Sequence, residues 1–485
     1  MKLTTTCDQK SCDCIVLGIG PEGQWSATAA DLDTQSGGAL SRGVATGDVS
    51  QKQGDATLVP LPGSAAFASV LLVGTGHAES KDIDAPLAYR MGATALRKLS
   101  GRQREKVCVE LGAELTDSVA EALVAGAVAG TAGQSLYHSE AQLFPPQLVA
   151  FLGVSEEALV AGQAIGEAIN ATRRLVNEPG NVIYPETFAE AATEVAKQWG
   201  LEIEVWDEQR LEQENCQAML AVGKGSVRPP RLVKLTYRGN PQQTTPPIAL
   251  VGKGVTFDSG GLSLKPSASM LDMKMDMAGA GTVLGVIRCL ADLKANCNVV
   301  GYMGLAENMI DGNSYRLGDV VKTRSGKTVE IHNTDAEGRV VLADVLDVAV
   351  KDEPAAVVDL ATLTGACLVA LGADTVGLMG NDQELQQEIQ QAAEQQGEWV
   401  WPLPMYSFFD EQVKSKVADL KNVGAGRWGG AITAAKFLEA FVGDAKWLHM
   451  DIAGPAFAES PTPERDAGAT GAMVRTLVHW LRKRK

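Results

Sequence analysis

The sequence predicts an α/β protein of two domains, each a mostly buried mixed sheet flanked by helices. Three observations carry this reading. Apolar runs of strand length alternate with Ala-rich helical stretches through most of the chain. A single long helix-forming segment, residues 156–178, interrupts that alternation. The 485 residues also exceed the roughly 250 to 300 that one hydrophobic core sustains. With 45% hydrophobic and 21% charged residues, the composition is that of an ordinary globular chain.

The first domain is placed at residues 1–155. Its strands are read at "CIVLGIG", "ASVLLVGTG" and "EKVCVEL", with "PLAYRMGATALRKL" as an intervening helix. The run "GIGPEG", residues 18–23, matches GxGxxG literally. However, Pro21 and Glu22 stand where a phosphate-cradling turn needs free amides, and no helical pattern follows directly, so a dinucleotide site is not expected. Of the eight cysteines, only Cys7, Cys12 and Cys14 cluster. No second pair follows at zinc-ligand spacing, and free reduced thiols are expected.

Residues 156–180 are read as a linker helix, "EEALVAGQAIGEAINATRRLVNE", stopped by Pro179 and Gly180. The second domain, 181–485, repeats the α/β pattern with strands at "LEIEVW", "RLVKLTY", "PIALVGKG", "NVVGYMGLAEN", "AAVVDLATLTG" and "KWLHMDIAG". No repeat of fixed period is visible.

Chemistry concentrates in this second half. In "ALVGKGVTFDSGGLSLKP" the apolar run Ile248 to Val251 reads as a buried strand. Lys253 and Asp258 then fall at and just beyond its carboxyl end, where open α/β sheets bind ligands. Gly260 and Gly261 permit a sharp turn that brings Lys265 to the same neighbourhood. Asp276 immediately precedes a helical pattern and by itself reads as a cap. In "NTDAEGR" an extended backbone would turn Asp335, Glu337 and Arg339 to one face. As a set these acids converge on one cleft, and hard oxygen ligands that would otherwise repel one another suit divalent cations. Two metals sharing bridging carboxylates satisfy them with the fewest ligands.

These motifs resemble the leucyl aminopeptidases, the cytosol aminopeptidase family of two-metal peptidases. "NTDAEGR" is the family's signature, and "GKGVTFDSGGLSLKP", "MKMDMAGA", "DLATLTGA" and "DIAGPA" follow in family order over roughly residues 170 to 480. The resemblance implies that Lys253, Asp258, Asp276 and Glu337 hold a tightly bound metal. Asp258, Asp335 and Glu337, with the Asp335 backbone carbonyl, hold a more exchangeable one. It further implies attack by metal-activated water, Lys265 stabilising the gem-diolate, and Arg339 holding a bicarbonate that shuttles the proton. The first substrate pocket falls at Met273, Thr362, Gly365, Ala453 and Ala456, a small and mostly apolar lining suited to amino-terminal Leu or Met. Two divalent ions per subunit, with Mn or Zn expected, and a homohexamer built as a dimer of trimers also follow from the resemblance.

Other classes fit less well. A two-metal phosphoesterase would want His ligands or a phosphate-clamping loop, and the five histidines form no HExxH or similar pair. His332 is read as structural or as supporting the signature. The formal charge of -16 opposes nucleic acid and anionic lipid as partners. No apolar stretch approaches the roughly 18 residues of a membrane span, and the opening residues lack the apolar core of a signal peptide, so a cytoplasmic location is expected. Peptides are the expected partners, and every matched ligand is present, against a catalytically silent scaffold.

Overall fold

The computed structural model describes residues 1–7, 12–20, 25–63, 65–76, 83–111 and 115–484. The chain forms two compact units. One comprises Met1–Asn170, Gln395–Gly397 and Glu459–Ala467, the other Ala171–Glu394, Glu398–Ala458 and Gly468–Lys485. The chain passes from the first to the second inside the helix Glu156–Asn177.

In the first unit, Cys14–Ile19 pairs in parallel with Ser69–Gly74 on one side and Lys106–Glu110 on the other. All three are the strands read from their apolar runs. Lys2–Thr4, Leu148–Phe151 and Ala56–Pro60 complete six strands. Ala56–Pro60 is antiparallel to its neighbour and ends in proline, which suits the sheet edge it occupies. Helix Ala85–Leu99 starts where Asp84 accepts a hydrogen bond from the Leu87 amide. The end of the "GIGPEG" run lies outside the described residues. A helix does form soon after it, Ala27–Gln35. The sequence hid this helix because only Ala29 and Leu32 are buried along it, too few to set a periodic signal.

The second unit is built on an eight-stranded mixed sheet. Its order is Trp399–Pro402, Thr375–Gly380, Trp447–Asp451, Ala356–Ala361, Ile248–Asp258, Asn298–Asn308, Arg231–Arg238, Glu202–Trp206. The central strand Ile248–Asp258 is parallel to both neighbours and buried at every position but Phe257. Helices cover both faces, which is why the strands read as continuous apolar runs. Along Asn298–Asn308, Gly301 opens toward Val283 and Ile287 of helix Ala278–Asp292. Gly304 opens toward Val341 and Val345 of helix Glu337–Lys351.

One expectation fails here. The central strand does not stop near Val251 but runs on to Asp258, because Asn298–Asn308 keeps pairing beside it through a register shift at Ala306/Glu307. Lys253 is therefore inside the strand, and Asp258 is its last residue. No described helix is long and apolar enough to cross a membrane.

Candidate metal centre

The carboxyl ends of the central parallel strands carry the cluster. Lys253, Asp258, Asp276 and Glu337 are 3, 2, 4 and 1% exposed. Lys253 Nζ donates to Asp276 Oδ1 at 2.7 Å and to the Thr362 carbonyl at 2.9 Å, and lies 2.9 Å from Glu337 Oε1. Thr362 Oγ1 adds a hydrogen bond to the same Asp276 oxygen at 2.8 Å. Lys265 Nζ lies 2.9 Å from Asp258 Oδ2 and 2.6 Å from Asp335 Oδ1. Asp258, Asp335 and Glu337 each place a carboxylate oxygen within 4.8 Å of the others.

Backbone geometry brings these groups together. Asp258 Oδ1 accepts from the Gly260 amide at 2.9 Å, closing a tight turn in which Gly260 and Gly261 have φ of +85° and +60°. A Cβ at Gly260 would stand 2.9 Å from Asp335 Oδ1, so the turn and the acid share one space. Gly338 plays a similar part on the other side, since a Cβ there would fall 2.4 Å from Lys253 Cε.

Four carboxylates face two lysine ammoniums, an excess of negative charge in a dry place. Burial, then the charge of Glu337, pushes the Asp258 carboxyl up to about 7 against the pull of Lys265 and Lys253. Asp276 is raised further by burial despite Lys253. Burial works to lower the Lys253 pKa, but the acids Asp276, Glu337 and Asp258 outweigh it and hold the ammonium above its ordinary value. Asp276 Oδ2 and Glu337 Oε2 are buried without any hydrogen-bond partner. Unpartnered carboxylate oxygens are costly unless something positive meets them. Hard oxygen donors, net negative charge and two unpartnered lone-pair sites fit divalent cations.

Two local readings are corrected. Asp276 does not cap a helix: it sits within the short 3₁₀ turn Met273–Met277, and its carboxylate turns to Lys253 and Thr362. Nor is "NTDAEGR" extended. Glu337 and Arg339 open the helix Glu337–Lys351, where residues two apart do not share a face. Arg339 instead donates from Nη1 to the Asn422 carbonyl at 2.9 Å, and its buried Nε has no partner. Burial lowers its pKa to about 10. His332 stands apart from the cluster, 3.0 Å from Glu330.

Of the residues assigned to a substrate pocket, Thr362 touches the cluster directly through Asp276. Met273 shares the 3₁₀ turn with Asp276. Gly365 opens the helix Gly365–Leu371, exposed and with open space around its Cα, just past strand Ala356–Ala361. Ala453 and Ala456 follow the adjacent parallel strand Trp447–Asp451.

Sequence reasoning missed the polar frame. Asn308 Nδ2 donates to Asp258 Oδ1 at 2.8 Å and to the Thr334 carbonyl at 3.0 Å, and Tyr315 donates to the same carbonyl at 2.8 Å. Asn422 accepts from the His332 amide and donates to the Asn333 carbonyl, fixing the loop before Asp335. The signal for Asn308 is weak, because the strand it ends also begins with Asn298 and carries Glu307 just before it.

A mixed α/β sheet that holds buried carboxylates and lysines at its carboxyl edge defines a metal-dependent hydrolase. Comparison with known proteins makes this specific. Residues 170–478 match the catalytic domain of the cytosol aminopeptidase family, and residues 16–141 match that family's N-terminal domain. A probable cytosol aminopeptidase of Rhodopirellula baltica is 51% identical over 98% of this chain and 95% of its own length. One from Aquifex aeolicus is 44% identical over 89% and 88%. Among solved structures, a mutant of tomato leucine aminopeptidase aligns with a TM-score of 0.88 at 31% identity, covering 100% of this chain and 96% of that one. The bottromycin maturation enzyme BotP in complex with Mn aligns at 0.86 and 36%, covering 97% and 99%. The chain belongs to the cytosol aminopeptidase family, and it is a metallo-aminopeptidase that uses divalent metal ions.

Proposed function

We propose that this enzyme removes apolar amino-terminal residues, Leu and Met foremost, from peptides with two divalent ions held by its carboxylate cluster. Lys253, Asp258, Asp276 and Glu337 would hold one ion. Asp258, Asp335, its backbone carbonyl and Glu337 would hold the other. The observation that carries this reading is the buried cluster itself, with Asp276 Oδ2 and Glu337 Oε2 lacking any partner. When bound, the ions supply Lewis-acid polarisation of the scissile carbonyl, an activated water and a grip on the free α-amine. Mn or Zn suits these donors, and the Mn complex of BotP favours Mn.

The chain's own groups do the rest. Lys253 could serve as a ligand only as the neutral amine, so holding an ion would require it to release a proton from Nζ to solvent. Lys265, now paired with Asp258 and Asp335, is freed of that duty once cations neutralise those acids. Its ammonium then stabilises the oxyanion of the gem-diolate. Arg339 presents a buried Nε without a partner, and a guanidinium edge binds a small planar anion in two-pronged fashion. Bicarbonate would be that anion, held by Arg339, and would supply a proton carrier in place of a protein general base. Thr362, Met273, Gly365, Ala453 and Ala456 line the first pocket with small or flexible side chains. The family description supports a cytoplasmic enzyme, and a homohexamer, a dimer of trimers, completes the reading by resemblance.

A pair of substrates tests the polarity of this site. An acetyl cap removes the lone pair by which an α-amine binds a metal, so Leu-amide should be hydrolysed and N-acetyl-Leu-amide should not. Activity should vanish on chelation and return with Mn. Equal turnover of the two amides would contradict the reading.

A further inference from the structure

Outside the carboxylate cluster, the described residues hold one other gathering of metal-ligating side chains: Cys7, Cys12 and Cys108. All belong to the first unit. The sequence showed only a sparse amino-terminal group, because the third thiol arrives from a strand about a hundred residues later. Parallel pairing of Cys14–Ile19 with Lys106–Glu110 sets Ile15 beside Cys108. Cys108 thus emerges on the face that carries Cys12, Ile15 and Leu17, against which Cys7 also packs. Cys14 alternates to the opposite face and takes no part.

The three sulfurs converge on one point rather than pairing off. Cys7 Sγ lies 2.7 Å from Cys12 Sγ and 3.0 Å from Cys108 Sγ, and the third edge of the triangle is 3.4 Å. These distances exceed the roughly 2.05 Å of a disulfide bond, so no two of the three sulfurs are bonded. A disulfide would use two and strand the third, whereas an ion uses all three. Cys12 and Cys108 are 6 and 0% exposed, and Cys7 is half-buried, so the point is sheltered.

We propose that Cys7, Cys12 and Cys108 form a three-thiolate site for a thiophilic closed-shell metal ion, Cu(I) or Zn(II). Soft thiolate sets select such ions over the hard cations that carboxylates prefer. Sulfurs about 2.3 Å from a common ion stand roughly 4 Å apart, so loading opens the triangle by about an ångström. Cys7, the least buried of the three, is the member least confined by packing. Each thiol that becomes a ligand releases one proton to solvent. Three thiols alone suit three-coordinate Cu(I). Zn(II) would take a water as fourth ligand.

The test uses the full chain, reduced and handled without oxygen. Cu(I) is titrated against a chromophoric Cu(I) chelator. Cd(II), which stands in for Zn(II) and absorbs when thiolate-bound, is titrated in parallel. The expected result is one equivalent of either ion with sulfur-to-metal absorption, which the carboxylate cluster cannot produce. Preference in competition then decides between the two ions. Cys12→Ser and Cys7→Ser should each weaken binding by roughly tenfold or more, about 1.4 kcal/mol, and Cys14→Ser should not. Because Cys7 is half-buried, Cys7→Ser keeps the test open should the buried variants fail to fold. Absence of sulfur-to-metal absorption in the wild type, or equal affinity in Cys7→Ser, would overturn the proposal. So would peptide mapping that recovers a Cys7 to Cys12 disulfide in protein that takes up no ion.

Discussion

At the scale of single residues, Arg339 separates two roles. If it holds the proton-shuttling anion, Arg339→Ala keeps its metal and its fold while kcat falls by about 10² to 10⁴-fold, the span of lost general-base work. Added bicarbonate should stimulate carbonate-depleted wild type and leave the mutant unchanged. Loss of metal in step with activity would instead make Arg339 a clamp on the acids. Gly338 tests the packing behind Lys253. An alanine there would place Cβ 2.4 Å from Lys253 Cε and 2.6 Å from Nζ, and Nζ is pinned by Asp276, Glu337 and Thr362. Lys253 must shift, and activity should fall by about 10²-fold, the scale of an ångström's misplacement at a reacting centre. Thermal stability should change far less, because alanine gains about 1 kcal/mol over glycine inside a helix. Unimpaired turnover in Gly338→Ala would remove Lys253 from the account.

At the scale of elements, the helix Glu337–Lys351 joins the cluster to the core. Its first turn carries Glu337 and Arg339, and two turns on, Asp344 accepts the Arg324 amide at 2.8 Å and the Met219 amide at 2.9 Å. Burial pushes the Asp344 carboxyl up to about 7, with those amides pulling it back, against an ordinary value of 3.8. The folded chain therefore holds a proton there that the unfolded chain releases. Stability from this group is full below the lower value, falls as pH rises toward about 7, and is flat above it. Asp344→Asn, which cannot titrate, should show a shallower decline of Tm between pH 5 and pH 7 than wild type, and an identical slope would contradict the assignment. Asp344→Ala leaves two buried amides without acceptors and should cost about 2 to 4 kcal/mol, read by denaturant unfolding. This helix also marks where sequence reading succeeds and fails. Glu337 and Arg339 in its first turn are legible as part of the signature run, whereas the buried Asp344 and Asp347 further along are not. Its start was not placed, because no side-chain cap announces it: Ala336 occupies the N-cap. Strands such as Ile248–Asp258 declare themselves by continuous burial. By contrast, Asn308 and Asn422 act through hydrogen bonds to backbone many residues away, and Cys108 meets Cys7 only through sheet register. No local pattern encodes such partners.

At the scale of the whole molecule, two units with separate sheets carry separate chemistry: hard carboxylates in one and soft thiols in the other. The proposed homohexamer predicts a light-scattering mass near six chains for active enzyme, and a fully active monomer would contradict it. The central claim is that the buried acids exist to hold two cations, and metal analysis of the wild type beside Glu337→Ala tests it most directly. In the proposed function Glu337 is a ligand shared by both ions, so the wild type loaded with Mn should retain two equivalents after gel filtration. The Glu337→Ala protein, folded by circular dichroism, should retain fewer than two and hydrolyse no Leu-amide. A folded Glu337→Ala protein that kept two equivalents of Mn would contradict the account.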